Sequence, residues 1–294
     1  MTLRADLPLG AFARVQARER LHEVGEQMRK VRRDQNPDAV HDLRVAIRRF
    51  STTLALFPEL FSRKRIAKCD KRLKRLRKAA GEVRDRDIAL MLAASGQEAA
   101  LGLSEARAKA AKALRRALSG KRRKAALAAG KAALKLRKRQ QDAVTWREGW
   151  RPSESACENA VERLPLLVER LFAAGRDALS EPAPDVSALH RLRLEAKRVR
   201  YTLEVFAPCY GPELDDRLEQ LKILQDALGD INDCRASRAH ATGADMHALL
   251  EARQQALAQE FERFWSTVFD APGECEGWML ELARKSSLRA AAAT

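Results

Sequence analysis

The feature that most constrains the fold is a repeat. Residues 40–50 read VHDLRVAIRRF, and residues 189–199 read LHRLRLEAKRV. His41, Arg44, Arg48, Leu54 and Phe57 thus correspond to His190, Arg193, Lys197, Leu203 and Phe206 at a constant offset of 149. A one-residue gap later, LKRLRKAAGEVRD at 73–85 matches LKILQDALGDIND at 221–233 at an offset of 148. Each copy reads as a basic helix, a proline turn, a second helix, a glycine and a carboxylate. A further helix precedes each, over roughly 10–33 and 154–180. A duplicated unit of this kind points to two helical half-domains related by a pseudo-twofold axis, with like surfaces facing each other.

The rest of the chain agrees with an all-α fold. Apolar residues recur with helical spacing almost everywhere, and no period-two run of Val, Ile, Thr and aromatics stands out. Ala, Leu, Arg and Glu dominate, and aromatics make up 5%, a composition of helix formers. Breaks are expected at 36–38, 57–60, 119–121, 150–155, 181–185 and 208–213, and at Gly81 and Gly229 as helix ends. Pro165 is expected to kink its helix or to mark a short break. At 294 residues the chain can bury a core without a metal or disulfides.

Within each repeated helix two stripes separate. Leu43, Ile47, Phe50, Leu54 and Phe57 form an apolar stripe, as do Leu192, Ala196, Val199, Leu203 and Phe206. His41, Arg44, Arg48 and Thr52 lie about 130° away on the helical wheel, and His190, Arg193, Lys197, Arg200 and Tyr201 take the matching side. Arg49 and Arg198 follow directly on these ridges. Asp38 and Ser187, each three residues before the histidine, are expected as N-caps, which would place each His in a first turn where N–H groups and the helix dipole favour an anion. A His there can donate to a phosphate oxygen, and an Arg one turn on can grip the next.

Charge is distributed to the same end. The formal net charge is +16, yet residues 201–294 carry 16 acidic and 9 basic side chains, so the positive excess lies entirely in the first 200 residues. Such a field gathers polyanions: nucleic acid, inorganic polyphosphate or an anionic membrane. Arg18, His22 and Arg29 share a face of the first helix with Arg14 and Arg33. Residues 63–78 hold ten basic side chains, of which only Lys74 has a basic counterpart, Lys222; that pair is the site candidate and the remainder reads as general surface charge. A third basic region, 121–139, lies outside the repeat.

AVHDLRVAIRRF and ALHRLRLEAKRVRYTLEVF, each followed by an Ala-Gly or Leu-Gly pair and then an Arg-Asp or Asn-Asp pair, resemble the CHAD family, the conserved histidine α-helical domain. The resemblance covers roughly residues 8–285. It implies two pseudosymmetric helical bundles, over 8–145 and 153–285 with a tail at 286–294, around a central basic channel that binds inorganic polyphosphate. It points to His41, Arg44 and Arg48 in one half and His190, Arg193 and Lys197 in the other. Family members often follow a CYTH triphosphatase domain, whose E-x-E-x-K signature is missing here, so the resemblance is to a stand-alone CHAD protein.

Neither a convincing nucleophile, a paired general acid and base, nor a P-loop is present, so no catalytic residue is assigned and hydrolysis of polyphosphate or triphosphate ranks last. No Cys/His cluster has zinc spacing; no metal or cofactor is expected, and the acidic pairs Asp85/Asp87 and Asp230/Asp233 are read as caps or arginine partners. Five dispersed cysteines suggest reduced thiols, and with no signal-like or membrane-spanning run the expectation is a cytoplasmic protein, recruited to polyphosphate deposits. Nonspecific nucleic-acid binding is the second reading, disfavoured by the few aromatics available for stacking. His240 and His247 read as ordinary surface residues, and the acidic final third would suit a channel open on one side or a surface for another protein, whose identity the sequence does not give.

Overall fold

Local chemistry sets where the helices begin. Asn36 accepts a hydrogen bond from the Ala39 N–H through Oδ1 at 2.7 Å, and Pro37, which lacks an N–H and has its φ pre-set, takes the first helical position. Ser155 starts another helix with a complete capping box, its hydroxyl accepting from the Glu158 N–H while the Glu158 carboxylate accepts from the Ser155 N–H. In the computed structural model, which describes residues 5–92, 97–135, 149–180, 186–238 and 244–284, ten α-helices follow one another. They are α1 (Leu9–Arg33), α2 (Pro37–Leu56), α3 (Arg63–Leu92), α4 (Gln97–Ala117), α5 (Gly120–Ala133), α6 (Ala156–Ala178), α7 (Val186–Tyr210), α8 (Asp215–Arg238), α9 (Ala244–Val268) and α10 (Glu274–Ala283). A 3-10 turn, Gly211–Leu214, joins α7 to α8. The protein is all-α, with no strand among the described residues. No described helix is long and apolar enough to cross a membrane.

The chain divides into two compact units: Gly10–Arg147, and Met1–Leu9 together with Glu148–Thr294. In the first, α3 packs against α2, α4 and α5. The apolar stripe Leu43, Ile47, Phe50, Leu54 and Phe57 is fully buried, as are Val24, Met28 and Val31 of α1 and Cys69, Leu73 and Ala80 of α3. Leu21 of α1 occupies the space that a side chain at Gly130 of α5 would need, and Leu127 lies against Gly25, so two glycines let α1 and α5 approach closely.

In the second unit α7 packs between α6 and α8, with α10 on α6 and α9 on α8. Residues 5–9 are tied to the start of α6: the Leu9 N–H donates to the Glu154 carbonyl (2.8 Å) and the Ala156 N–H to the Leu7 carbonyl (3.0 Å). The core is aromatic. Trp265 stacks on Phe269 at 4.9 Å, Phe172 and Trp278 close the cluster, and the Trp265 ring fills the place of a side chain at Gly175. Burying each such ring contributes about 2–3 kcal/mol. Arg217 locks α8 to α10, donating to Glu281 from Nε (2.7 Å) and to Glu274 from Nη1 (2.5 Å) with its guanidinium over Trp278.

Several expected boundaries move. Gly81 and Gly229 end nothing: they lie inside α3 and α8, which run on through them. Helix α6 passes Pro165 without interruption, because the buried prolyl ring packs into the core on a helix already nucleated by its capping box. The cap of α2 is Asn36 and not Asp38, and Ser187 is the second residue of α7. His41 and His190 are therefore fifth in their helices, past the first turn and its free N–H groups. The expected break at 181–185, part of the 121–139 region, His240 and the 286–294 tail fall outside the described residues.

Candidate functional site

Helix α2 buries its apolar stripe and so turns the ridge of His41, Arg44 and Arg48 outward along α3. His41 is exposed, whereas Arg44 and Arg48 are half-buried. The Arg44 guanidinium lies directly on Gly81, where any side chain on α3 would collide with Nη1. That contact explains an interior glycine that costs the helix about 1 kcal/mol relative to alanine. On α3 the order Lys74, Arg77, Gly81, Arg84 has spacings of three, four and three, which put all four on one face. Arg44 thus sits in a cradle of α3 with cations along it.

The electrostatics follow from that crowding. The Arg44 guanidinium titrates below the usual arginine range because of its burial, with Asp85 opposing and Arg48, Arg77 and Arg84 adding to the depression. His41, although part of its ring faces solvent, is held below its ordinary value of 6.5, first by partial desolvation and then by Arg84, with Asp42 opposing and Arg44 and Arg48 adding smaller depressions. Cations crowded around Arg44 and His41 raise the free energy of their charged states, and an anion placed among them relieves it.

The same device recurs on α7 and α8 in weaker form. Arg193 approaches Gly229, its Nη2 lying 3.8 Å from where a Cβ would stand. His190 and Lys197 are half-buried beside it, and the Nδ1 of His190 has no hydrogen-bond partner. The positions matching Arg77 and Arg84 are Gln225 and Asn232. Gln225 is buried and structural: its Nε2 donates to the Ala196 carbonyl at 2.9 Å, and its Oε1 accepts from Arg200 at 3.2 Å. In both ridge helices a buried threonine, Thr53 or Thr202, donates to the carbonyl four residues back, at Arg49 or Arg198.

The CHAD domain family model matches residues 15–242. The chain belongs to that family. Among solved structures it is similar to the CHAD domain from the plant Ricinus communis, with a TM-score of 0.61 and 21% identity over 95% of this chain and 92% of that one. It is also similar to PptA from Streptomyces chartreusis, with a TM-score of 0.60 and 16% identity over 89% of this chain and 99% of that one. Both likenesses concern the fold. No curated protein matched the sequence.

The other expected site residues of this CHAD chain are distributed unevenly. Arg49 turns to Glu23 of α1 at 3.7 Å. Lys74 is exposed on the α3 face described above, whereas Lys222 is held by Glu219 at 2.9 Å. Arg198 faces Glu195 at 3.8 Å, and Arg200 is engaged by both Gln225 and Glu204, the latter at 3.2 Å. Tyr201 is only 5% exposed, under the Arg200 guanidinium, and offers little surface to a ligand. Arg18, His22 and Arg29 are exposed on α1, where His22 and Arg29 both approach Glu26. Arg77 and Arg84 are functional candidates that repetition along the chain does not single out, since their counterparts Gln225 and Asn232 are uncharged.

The carboxylates serve the cations. Asp85 is the acidic neighbour of Arg44, and buried Asp87 receives Arg107 of α4 at 3.0 Å. On α8, Asp230 is pushed up by burial and by Asp233 and Asp226, with Arg253 of α9 opposing. None of these caps a following helix, since α3 and α8 continue through them. Among the described residues, no group of three or more His, Cys, Asp or Glu side chains is placed to hold a metal ion. The five cysteines are free, and burial pushes the Cys69 thiol up to about 12.

Proposed function

We propose that this CHAD protein binds inorganic polyphosphate, without cleaving it, through the ridge of His41, Arg44 and Arg48 with Lys74, Arg77 and Arg84 across from it. His190, Arg193 and Lys197 on α7 form the secondary contact. The observation that carries this reading is Arg44 on Gly81: a half-buried guanidinium in a cradle that keeps further cations beside it, its own titration held below the usual arginine range by burial and by those neighbours. Arginines so placed grip phosphate oxygens by charge-assisted, bidentate hydrogen bonds, and their mutual repulsion becomes attraction to the ligand. A polymer with a charge on every unit and no bases suits a face of cations with few aromatic rings. Binding of this kind serves to recruit or retain the protein at polyphosphate deposits inside the cell.

The test is calorimetric titration of long-chain polyphosphate, with length-matched single-stranded DNA as competitor and a variant carrying His41→Ala, Arg44→Ala, His190→Ala and Arg193→Ala. Tight binding that resists DNA and collapses in the variant supports the proposal. Equal binding of both polymers, unaffected by the substitutions, would make the ridges structural and the protein a nonspecific polyanion binder. Release of orthophosphate on incubation with a divalent metal would overturn the non-catalytic part.

A further inference from the structure

The face built around Arg44 includes one carboxylate whose presence beside a polyanion needs a reason. Asp85 follows Gly81 by four residues on α3, so the two positions lie one above the other, about 5–6 Å apart at Cβ. The Arg44 guanidinium rests on Gly81, its Nη1 in the space that a side chain there would take. Arg77 stands one turn before Gly81 and Asp85 one turn after it, which sets the guanidinium between a cation and an anion on the same stripe. Asp85 is exposed, whereas Arg44 is half-buried. After burial, which disfavours the charged guanidinium, the largest influence on Arg44 is that of Asp85, which favours it, with Arg48, Arg77 and Arg84 opposing.

That carboxylate has two opposed effects on a polyphosphate chain. As a bare negative charge it repels the ligand, an effect that water and salt weaken at an exposed position. As a partner it holds the guanidinium against Gly81. Arg48, Arg77 and Arg84 all repel Arg44, and a long side chain left to them alone would spread over solvent-facing rotamers, so that ordering it again on binding costs affinity. A guanidinium presents five N–H donors in a rigid fork, and one edge can face Asp85 while another stays open to a phosphate oxygen. Glu82, next to Gly81 in the chain, is engaged otherwise: its carboxylate accepts from Arg86 at 2.8 Å. We infer that Asp85 is a positioning residue of the α2–α3 face, that it orients Arg44 over Gly81 toward the ligand, and that this orientation outweighs its repulsion of the polyanion. The inference rests on the polyphosphate reading above.

The sign of one substitution separates the two effects. Long-chain polyphosphate is titrated into the full-length wild type, Asp85→Asn, Arg44→Ala and the Asp85→Asn/Arg44→Ala double variant, with Asp85→Glu and Glu82→Gln alongside. Asp85→Asn makes the protein more positive, yet it should bind about fivefold or more weaker, the cost of ordering one long side chain. Asp85→Glu should recover most of that loss. In the Arg44→Ala background the same Asp85→Asn change should leave affinity unchanged or raise it, because only the repulsion is then removed. Glu82→Gln, which takes the same charge from α3, should not weaken binding. Thermal unfolding of Asp85→Asn should stay close to that of the wild type, since an exposed ion pair adds little to stability. Unchanged or higher affinity in Asp85→Asn alone, or a loss of equal size with and without Arg44, would overturn the inference and leave the polyphosphate reading standing. A wild-type protein that does not bind polyphosphate would overturn both.

Discussion

The α2–α3 and α7–α8 faces share a scaffold and differ in charge. Both set an arginine against a glycine inside the neighbouring helix, and both back it with a histidine and another cation. Across from Arg44 stand Arg77 and Arg84; across from Arg193 stand Gln225 and Asn232, the first of them committed to a carbonyl of α7. The distances differ in the same sense, since Arg44 presses on Gly81 while Arg193 only touches the surface of Gly229. Two helix pairs with matching sequence patterns can therefore carry unequal electrostatic strength. One face stores cation repulsion, and the other is knit together by hydrogen bonds.

The difference can be broken in graded steps. The largest effect is expected from removing the crowded cations: Arg44→Ala with Arg48→Ala should weaken polyphosphate binding by about a hundredfold, from two charge-assisted bonds of about 1.5 kcal/mol each. The matching Arg193→Ala with Lys197→Ala should cost about tenfold, and isothermal calorimetry of the two double variants reads the inequality. Equal weakening would remove it.

A smaller effect should come from the glycines. Gly81→Ala gains helix propensity of about 1 kcal/mol but displaces the Arg44 guanidinium. Thermal stability should hold or rise while affinity falls about tenfold. Gly229→Ala meets ordinary van der Waals contact and should stabilise α8 with affinity unchanged. A drop in affinity for both, or for neither, would break the link between glycine and arginine.

The smallest effect is that of pH. Because His41 titrates below 6.5 in the free protein, it is largely neutral above that value, and an adjacent phosphate favours the imidazolium. Binding should take up protons at pH 6–6.5, raising affinity a few-fold as pH falls, and His41→Gln should abolish the uptake, as read by calorimetry in buffers of different ionisation enthalpy. The sign for folding is opposite. A depressed His pKa gives stability that is complete above 6.5 and is lost as pH falls through the folded value, since the unfolded chain binds the proton more readily. Apparent Tm of wild type against His41→Gln across pH 5–7 measures that contribution.

How much was legible in the sequence differs by residue. The buried stripes were fully readable, because a 3.6-residue period survives any tertiary context: Leu43, Ile47, Phe50 and Leu54 are all buried, as are Leu192, Ala196, Val199 and Leu203. Gly81 and Gly229 were misread, since a glycine ending a helix and one admitting a neighbour's side chain look alike along the chain. The caps slipped by two residues at α2 because Asn36, Asp38 and Pro37 all carry start signals, and only the hydrogen bond to Ala39 decides among them. Arg77 and Arg84 escaped because repetition, used as a filter, keeps what the halves share and discards what distinguishes them. Their spacing around Gly81 was the available signal.

If polyphosphate binds as proposed, Arg77 and Arg84 make the α2–α3 face the stronger site. Converting that face to the composition of its counterpart, with Arg77→Gln and Arg84→Asn, and measuring long-chain polyphosphate affinity against salt tests it most directly. The expected result is an affinity about tenfold or more weaker, and a log–log salt slope shallower by about 0.7 for each phosphate that the variant no longer neutralises. Affinity and slope equal to those of the wild type would contradict it.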